Sequence, residues 1–599
     1  MLRAFRSMTL VSRWTVAAAL ALTCSQLACA DPPTVGSTNV AVADPVIPAP
    51  YTTPCTVTLY ANLEFANFDS KPFDYAPPAN CPGPWQKVVL SADYSVTMGR
   101  QFDRTAEIWL GGAIVYFGTT QEPSSAVAPS WHIERDLTDY SALFGDAHGG
   151  HATLGNFVGT SGGVNYTGVI HGSAKLLFYP EAPTVPDHPS RPDAVLPLSG
   201  SADGSTADLA SSDAELSVTF SALPRNIERA FLDVYAQSQA SDEFWYTCVP
   251  DDNTDLLQSC GGTAFRETQI SVDGHPAGVA PVFPWIYTGG IDPFLWRPVP
   301  GVQTLAFEAY RVDLTPFAGV LDDGAAHTIA LSVFNTQDHF STAANLLLYL
   351  DHDATVVTGH VTANTLVADP APDVHTTFPP GTPLNTTSAT VSVKADRQFS
   401  ISGVVATSHG VVSTQVSQTL DFSNTQAFTI SDTLYSQHIT QATTIDSTTT
   451  VTAGATAAIT HEQRSYPLTV NIDYRVLPDG SANQATAIDQ RFSQTVSVGN
   501  QGFAARVAAR DNHVIAGDTL LIDASNHVNG TFDQKTQQTY TYADPFGACY
   551  SRHIEAASDE LEKLQDGQGC PGGVNFLDWF DAFHNYGSLV TGATLQLLP

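Results

Sequence analysis

Chemistry concentrates at two places in this 599-residue sequence: Asp103-Arg104 in GRQFDRTAEIWL, and the string Asp242-Glu243-Phe244-Trp245-Tyr246. The second runs on through the loop between Cys248 and Cys260 to Ala264-Phe265-Arg266-Glu267. Two carboxylates facing each other beside guanidinium groups and aromatics form a constellation for acid/base hydrolysis in a cleft. A carboxylate of ordinary pKa stays ionised at roughly pH 4 to 5, where histidine is protonated and useless as a base. The competing reading pairs Asp103 with Arg104 or Arg266 in a buried bridge. Trp109, Trp131, Trp245, Tyr246, Trp285, Tyr287 and Trp296 cluster in the same stretches. Apolar sugar faces stack on such rings, so two or three of them are expected to line a site, the rest being core.

Other signals carry less. Gly159-Thr160-Ser161-Gly162-Gly163 fits G-x-S-x-G, but no helix follows it as a nucleophile elbow requires. His148 and His151 flank Gly149-Gly150, a solvated-loop context more than a metal site, and Asp251, Asp252, Asn253 and Asp255 offer loop oxygens that could take calcium. No CxxC occurs, and the expectation is neither metal nor cofactor.

The elements that must position the carboxylates are strands. Short β-rich runs bounded by Gly, Pro and Asn dominate, and two read as hairpins: AEIWL-GG-AIVYF, turning at Gly111-Gly112, and TQISV-DG-HPAGV, turning at Asp273-Gly274. They head segments that repeat. Asp136-Leu137-Thr138, His151, Leu154 and AKLLFY follow the first; Asp313-Leu314-Thr315, His327, Leu331 and ANLLLY follow the second, offset by about 170 residues. Each copy suits a two-sheet sandwich or jelly roll, and equivalent rims of two packed copies would converge at their interface. The fold class expected is all-β: two tandem jelly-roll-like β-sandwich domains, then a C-terminal β domain with one short helix, Ser551 to Gly567, on which the aromatic tail Phe576 to Tyr586 packs. The domains expected are 1–30 leader, 31–50 N-terminal linker, 51–182 first jelly roll, 183–215 Pro-rich linker, 216–353 second jelly roll and 354–599 Ser/Thr-rich β domain.

Charge and cysteines set the setting. The formal net charge is −34 at pH 7, with 59 acidic against 25 basic residues. Such a chain repels phosphate backbones and anionic lipid, so nucleic acid and membrane surfaces are not expected partners. An acidic chain sheds self-repulsion as pH falls toward the carboxylate range, which suits acid tolerance. Arg3, Arg6 and Arg13 precede an apolar run, and Ala28-Cys29-Ala30 offers the small residues of a leader-peptidase site, so the mature chain is expected to start near Asp31 and to be secreted or periplasmic. Cys29 as a lipidated cysteine is the alternative, with Gln26 where such a signal wants Leu. Cys55, Cys81, Cys248, Cys260, Cys549 and Cys570 then remain, and sequence-local pairing gives three disulfides. Asn165, Asn385 and Asn529 begin N-x-Ser/Thr sequons, which belong on exposed loops.

The strings GRQFDR, LPRN, DEFWY, FRE, FPWIYTGGIDPFLWRP and VDLTPFAGVLDDG, in this order over roughly residues 51 to 353, resemble the peptide N-glycosidase A family. A more distant likeness is to bacterial peptide N-glycosidase F, built of two jelly rolls, whose catalytic aspartate lies in an aromatic-Asp-Arg setting that maps onto Asp103. The resemblance implies a peptide-N4-(N-acetyl-β-glucosaminyl)asparagine amidase active at acid pH, acting on N-glycopeptides or glycoproteins, without cofactor and as a monomer. It implies Asp103 as the base that activates water, and Glu243 holding the sugar or assisting the leaving nitrogen. The distant relative's second carboxylate falls at Gly262 or its neighbours here, so Glu243 is the nearest substitute and Asp242 and Glu267 are rivals. Arg104 or Arg266 would stabilise the oxyanion; Asn156 would hold a sugar or the amide; Trp245, Trp285 and Trp296 would line the cleft. A carboxylate-pair glycosidase and a non-catalytic carbohydrate-binding protein are the other classes the same residues allow.

Overall fold

A computed structural model describes residues 30–180, 191–380, 385–500 and 506–579. The leader expected over 1–30 lies outside the described residues apart from Ala30, as do 181–190 of the proline-rich stretch and the tail beyond Trp579.

In the first unit the strands are β1 (Cys55–Phe65), β2 (Lys71–Tyr75), β3 (Trp85–Val96), β4 (Thr105–Leu110), β5 (Ala113–Thr119), β6 (Ser130–Asp136), β7 (His148–Leu154), β8 (Gly159–Ser161), β9 (Val164–Tyr166) and β10 (Ile170–Pro180). They form two facing sheets, ordered β1-β10-β3-β6 and β2-β7-β4-β5, with β8-β9 as a separate ribbon. The second unit has β11 (Ala194–Leu198), β12 (Ala207–Leu209), β13 (Glu215–Phe220), β14 (Ile227–Gln239), β15 (Glu267–Val272), β16 (His275–Pro281), β17 (Tyr310–Asp313), β18 (His327–Phe334) and β19 (His339–Leu350). Its sheets run β11-β19-β14-β17, with β12 also on β19, and β13-β18-β15-β16, so every strand except β12 has a counterpart in the first unit. The repeat seen in the sequence is therefore a repeat of topology. Even its turns agree: Asp136 Oδ1 accepts from Thr138 N at 3.0 Å and Asp313 Oδ1 from Thr315 N at 2.9 Å.

Both expected hairpins are present. Leu110 pairs with Ala113 across Gly111 and Gly112, at φ 56° and 81°, and Val272 pairs with His275 across Asp273 and Gly274, at φ 50° and 75°. Two consecutive residues at positive φ give the turn whose twist matches the strands it joins. Polar bonds fasten one unit to the other: Asn345 Nδ2 donates to Ile114 O (2.8 Å), Tyr140 OH to Asp233 Oδ2 (3.0 Å), and Arg311 bridges Asp233 and Asp139, both at 2.7 Å.

Between β16 and β17 the chain runs without strands from Val282 to Ala309, almost wholly buried. An irregular buried segment must find partners for its peptide groups, and it finds them on both sides. Toward the first unit, Thr119 N donates to Thr304 O and Phe307 N to Phe117 O. Toward the C-terminal unit, partners come from a sheet of twelve antiparallel strands between Thr358 and Asp566, several about twenty residues long. Burial alternates along these strands, and glutamine and asparagine on the inward face reach backbone carbonyls: Asn424 to Tyr246, Gln426 to Cys248, Gln437 to Thr247, Gln490 to Pro284 and Gln534 to Arg297. Apolar inward residues join the core of the second unit, with Phe422 5.0 Å from Phe265 and Tyr466 5.1 Å from Phe283. Residues 31–50 lie across the same sheet, where Ala41 N donates to Pro298 O and Ala43 N to Gln538 Oε1.

The helix expected at Ser551 to Gly567 is instead a β-hairpin, strands Cys549–Ala557 and Glu560–Asp566, turning at Ser558-Asp559 with φ 53° and 67°. Ile554 and Leu564, which suggested one helical face, are directly opposed across the two strands, and burial of Ile554 and Ala556 follows a period of two. The α-helices among the described residues are the single turns Thr254–Leu257 and Ala318–Leu321, both outside the C-terminal unit. The disulfides are Cys55–Cys81, Cys248–Cys260 and Cys549–Cys570, and Asn165, Asn385 and Asn529 are all exposed.

Gln490 is fully buried and ties both ends of the irregular segment, donating to Pro284 O (2.8 Å) and accepting from Val302 N (2.9 Å). Gln490→Leu keeps the volume and strands a buried carbonyl and a buried N–H. The expected loss is about 2 kcal/mol or more in chemical denaturation, with a lower melting temperature.

Candidate active site

Asp103 stands two residues ahead of β4, and Thr105 pairs with Thr119 at the end of β5. The ladder continues past the strands: Arg104 N donates to Thr120 Oγ1 and Thr120 N to Arg104 O, both at 2.9 Å. The hairpin therefore brings Glu122 to the same rim as Asp103, whose N–H points to Glu122 Oε2 at 3.3 Å. From the irregular segment, Thr288 Oγ1 donates to Thr120 O (2.8 Å) and Gly289 N donates to Asp103 Oδ2 (3.0 Å).

Gly289 has no room for a side chain. A Cβ there would stand 2.6 Å from Glu122 Oε2 and 2.8 Å from Asp103 Oδ1, so any side chain at this position would have to displace the two carboxyls. One residue on, a Cβ at Gly290 would lie 3.3 Å from the ring of Phe244, the neighbour of Glu243. The Gly289-Gly290 pair is thus a common wall that the carboxyls of the first unit and the loop after β14 meet from two sides. That loop is held by Tyr287, whose OH donates to Ser238 O (2.6 Å), and by Ser238 Oγ, which donates to Glu243 O (3.5 Å).

Burial and mutual repulsion shift all three carboxyls. Glu243 is pushed up to about 7 by burial, then by the charges of Asp103 and Glu122. Glu122 is also pushed up to about 7, by burial and Asp103, against the pull of the Asp103 N–H and of Arg297 and Arg100. Asp103 is raised by burial, while the Gly289 N–H and Arg104 restrain it. Three acids packed together cannot all ionise, and the environment ranks them. The Gly289 N–H and Arg104 favour the charged form at Asp103, while Glu122 and Glu243, each raised to about 7, keep their protons more readily than ordinary carboxyls do, so the arrangement offers a base and two donors.

Arg104 and Asp103 act on each other electrostatically, and the Arg104 guanidinium lies 5.6 Å from the Phe102 ring centre. Half-buried Phe102, Tyr166 and Phe244 are the aromatics at this rim. The tryptophans lie beneath it. Trp245 (1% exposed) packs on Phe422, Trp285 (5%) on Phe307 at 4.3 Å, and Trp296 (0%) donates Nε1–H to Gly290 O.

Asp242 and Arg266 close on each other, fully buried: Arg266 Nε and Nη2 donate to Asp242 Oδ1 at 3.1 and 2.8 Å, and Nη1 to Thr263 O and Phe265 O. Asp242 also accepts from the backbone of Gln337, Asp338 and His339. With every polar edge committed, this pair braces the Glu243 loop and leaves nothing for a substrate. Glu267 faces Arg397 of the C-terminal sheet at 3.6 Å. Asn156, fully buried, donates to Phe65 O and Gly168 O, both at 3.0 Å, and so fixes the loops behind Arg100.

Glu122 and Gly289 are the residues the sequence reading passed over. The register of the Gly111-Gly112 hairpin carried the signal for Glu122, since a two-residue turn returns the chain to the level of Asp103. Ser161 lies in the β8-β9 ribbon, and Asp251 Oδ1 caps Gly262 N. Among the described residues no group of three or more His, Cys, Asp or Glu could hold a metal, and no helix is long and apolar enough to cross a membrane. A cavity of about 450 Å³ lies elsewhere, under Tyr310 to Asp313 against the C-terminal sheet, and its ion pairs Arg311–Asp233, Arg510–Glu308 and Arg464–Glu462 are closed on themselves.

Among solved structures, the chain is similar to PNGF-II (TM-score 0.34, 12% identity), covering 50% of this chain and 65% of that one, just under two thirds of its length. It is also similar to PNGase F, a glycosylasparaginase from Flavobacterium meningosepticum (TM-score 0.32, 10% identity, 50% and 96% covered). A curated relative, peptide-N4-(N-acetyl-β-glucosaminyl)asparagine amidase A of Prunus dulcis, is 27% identical over 547 residues, 88% of this chain and 91% of the relative. The sequence model of the PNGase A C-terminal domain matches residues 390–468. That of peptide N-acetyl-β-D-glucosaminyl asparaginase amidase A matches residues 45–366, more than half of the chain and the whole stretch that carries Asp103, Glu122, Glu243 and Gly289, and the protein belongs to this family.

Proposed function

We propose that the protein hydrolyses the amide between the first N-acetylglucosamine and asparagine in N-linked glycopeptides and glycoproteins, in an exported, acidic setting. The observation that carries the reading is the Gly289 N–H bonded to Asp103, with Glu122 against the same glycine and Glu243 within electrostatic reach of both. Asp103 takes a proton from water as its oxygen attacks the side-chain carbonyl carbon, and Arg104 stabilises the developing oxyanion. A protonated glutamate then gives its proton to the leaving nitrogen as the C–N bond breaks. Glu243, on the second unit, is placed for the sugar side, with Glu122 beside the attacking water. The products are aspartate in the peptide and a 1-amino glycan, which loses ammonia to water. Three disulfides support the exported setting.

Mass spectrometry of one N-glycopeptide after incubation tests the reading. Conversion of Asn to Asp is expected; a peptide that keeps N-acetylglucosamine on asparagine would make the protein a glycosidase instead. Asp103→Asn keeps the shape and removes the base. Turnover should fall about 10²-fold or more while the melting temperature holds. Gly289→Ala should act on the same step by forcing the two carboxyls apart, with a comparable drop in kcat.

The pH dependence follows from the two glutamates. Both must carry protons, so kcat/KM should fall as pH rises through about 7, the value to which each is raised. Their folded values lie above the ordinary 4.5, so the stability they contribute is fully present below 4.5 and lost as pH climbs through about 7. Melting temperatures of Glu122→Gln and Glu243→Gln should depend less on pH in that window than the wild type's.

A further inference from the structure

Arg100, three residues before Asp103, is exposed, and among the described residues it makes no ion pair. It is not loose. Its guanidinium carbon lies 5.5 Å from the Phe102 ring centre and 5.7 Å from that of Tyr166, and those rings are 5.2 Å apart. Phe157 closes the back of the shelf, 5.7 Å from Tyr166. The backbone beneath is fixed as well: Arg100 O accepts from Thr167 N (3.1 Å) and Gly168 N (3.0 Å), and Gly99 N donates to Ser125 O (3.0 Å).

A guanidinium against aromatic rings has a face covered and keeps its N–H edge for an acceptor in the surrounding water. The acceptor matching that fork is a carboxylate, held bidentately. The nearest carboxyls do not supply it: Asp103 answers to Gly289 and Arg104, and Glu122 feels Arg100 only as a charge at a distance. We infer that Arg100, set on Phe102 and Tyr166, is a docking point for the peptide arm of the substrate and takes a carboxylate, an acidic side chain or chain terminus, close to the glycosylated asparagine. The inference rests on the amidase reading and adds a preference to it. The two arms of a glycopeptide leave the scissile amide in different directions. Glu243 and Phe244 stand on the second unit, where protonated Glu243 suits sugar hydroxyls and the glycosidic nitrogen. The Arg100 shelf stands on the first unit, three residues before Asp103. A neutral core sugar gives an unpaired cation nothing to neutralise, whereas a peptide carboxylate does.

The test uses two glycopeptides with the same glycan, one with aspartate and one with lysine beside the glycosylated asparagine. The wild type should show a KM several-fold lower for the acidic peptide, and added salt should shrink the difference. Arg100→Ala should raise KM for the acidic peptide about tenfold, leave that for the basic peptide within about twofold, and change kcat little. Arg100→Glu should invert the preference. Calorimetric binding of both peptides to Asp103→Asn reads the same preference without turnover, so a failure of the amidase reading and a failure of this one are told apart. Equal affinity of the wild type for the two peptides would overturn the inference, as would an Arg100→Ala variant that loses kcat equally on both.

Discussion

Everything in this protein's site depends on the cost of holding two carboxyl groups against one backbone amide within electrostatic reach of a third. Asp103 accepts from Gly289 N, Glu122 lies close enough to Gly289 that a methyl group would collide with it, and Glu243 feels both charges. In water three such acids would ionise together near pH 4; in a half-buried recess each charge added raises the cost of the next. The recess eases the conflict by giving Asp103 the closer backbone donor, Gly289 N at 3.0 Å, together with Arg104, while Glu122 has the Asp103 N–H at 3.3 Å and both glutamates are raised to about 7. The division of labour between base and acids is thus a consequence of where an N–H points.

That N–H has to be held still, and the wide C-terminal sheet serves this end. Val282 to Ala309 is a long irregular run inside the protein, a conformation that strand pairing alone cannot satisfy. Gln490 clasps both of its ends, Gln534 and Thr536 take the carbonyls of Arg297 and Leu295, and Thr119 and Phe117 meet it from the first unit. The Ser, Thr and Gln bias of the last third thereby acquires a cause. Long strands alternate, and several of the inward side chains, Asn424, Gln426, Gln437, Gln490 and Gln534, face buried peptide groups of the neighbouring unit, where an amide bonds and a leucine would not.

Much of this was legible from residue order alone. Glycine and Asp-Gly pairs between alternating runs located the two hairpins, and the matched strings behind them disclosed two units whose sheets share one strand order, β12 being an addition in the second. Asp103 was visible because an acid beside an arginine at a strand start has few bland explanations. Glu122 was not, because GTTQEPSS carries no local chemistry; only the register of β4 against β5 makes it Asp103's neighbour. The tryptophans misled for a related reason. A large ring near a site is as useful for filling the core beneath it as for stacking on a ligand, and composition cannot separate the two. At Ser551 to Gly567 the chain reverses at Ser558-Asp559, so spacing that looked helical is spacing across a hairpin.

Difference infrared spectroscopy of the carboxylic acid C=O stretch, between about pH 5.5 and pH 8.5, tests the ranked triad most directly. The wild type should lose two more protonated carboxyls over that range than the Glu122→Gln/Glu243→Gln double variant does. Identical difference spectra for the two proteins would mean that both glutamates are already ionised at the acid end, and would contradict the account of one base and two donors.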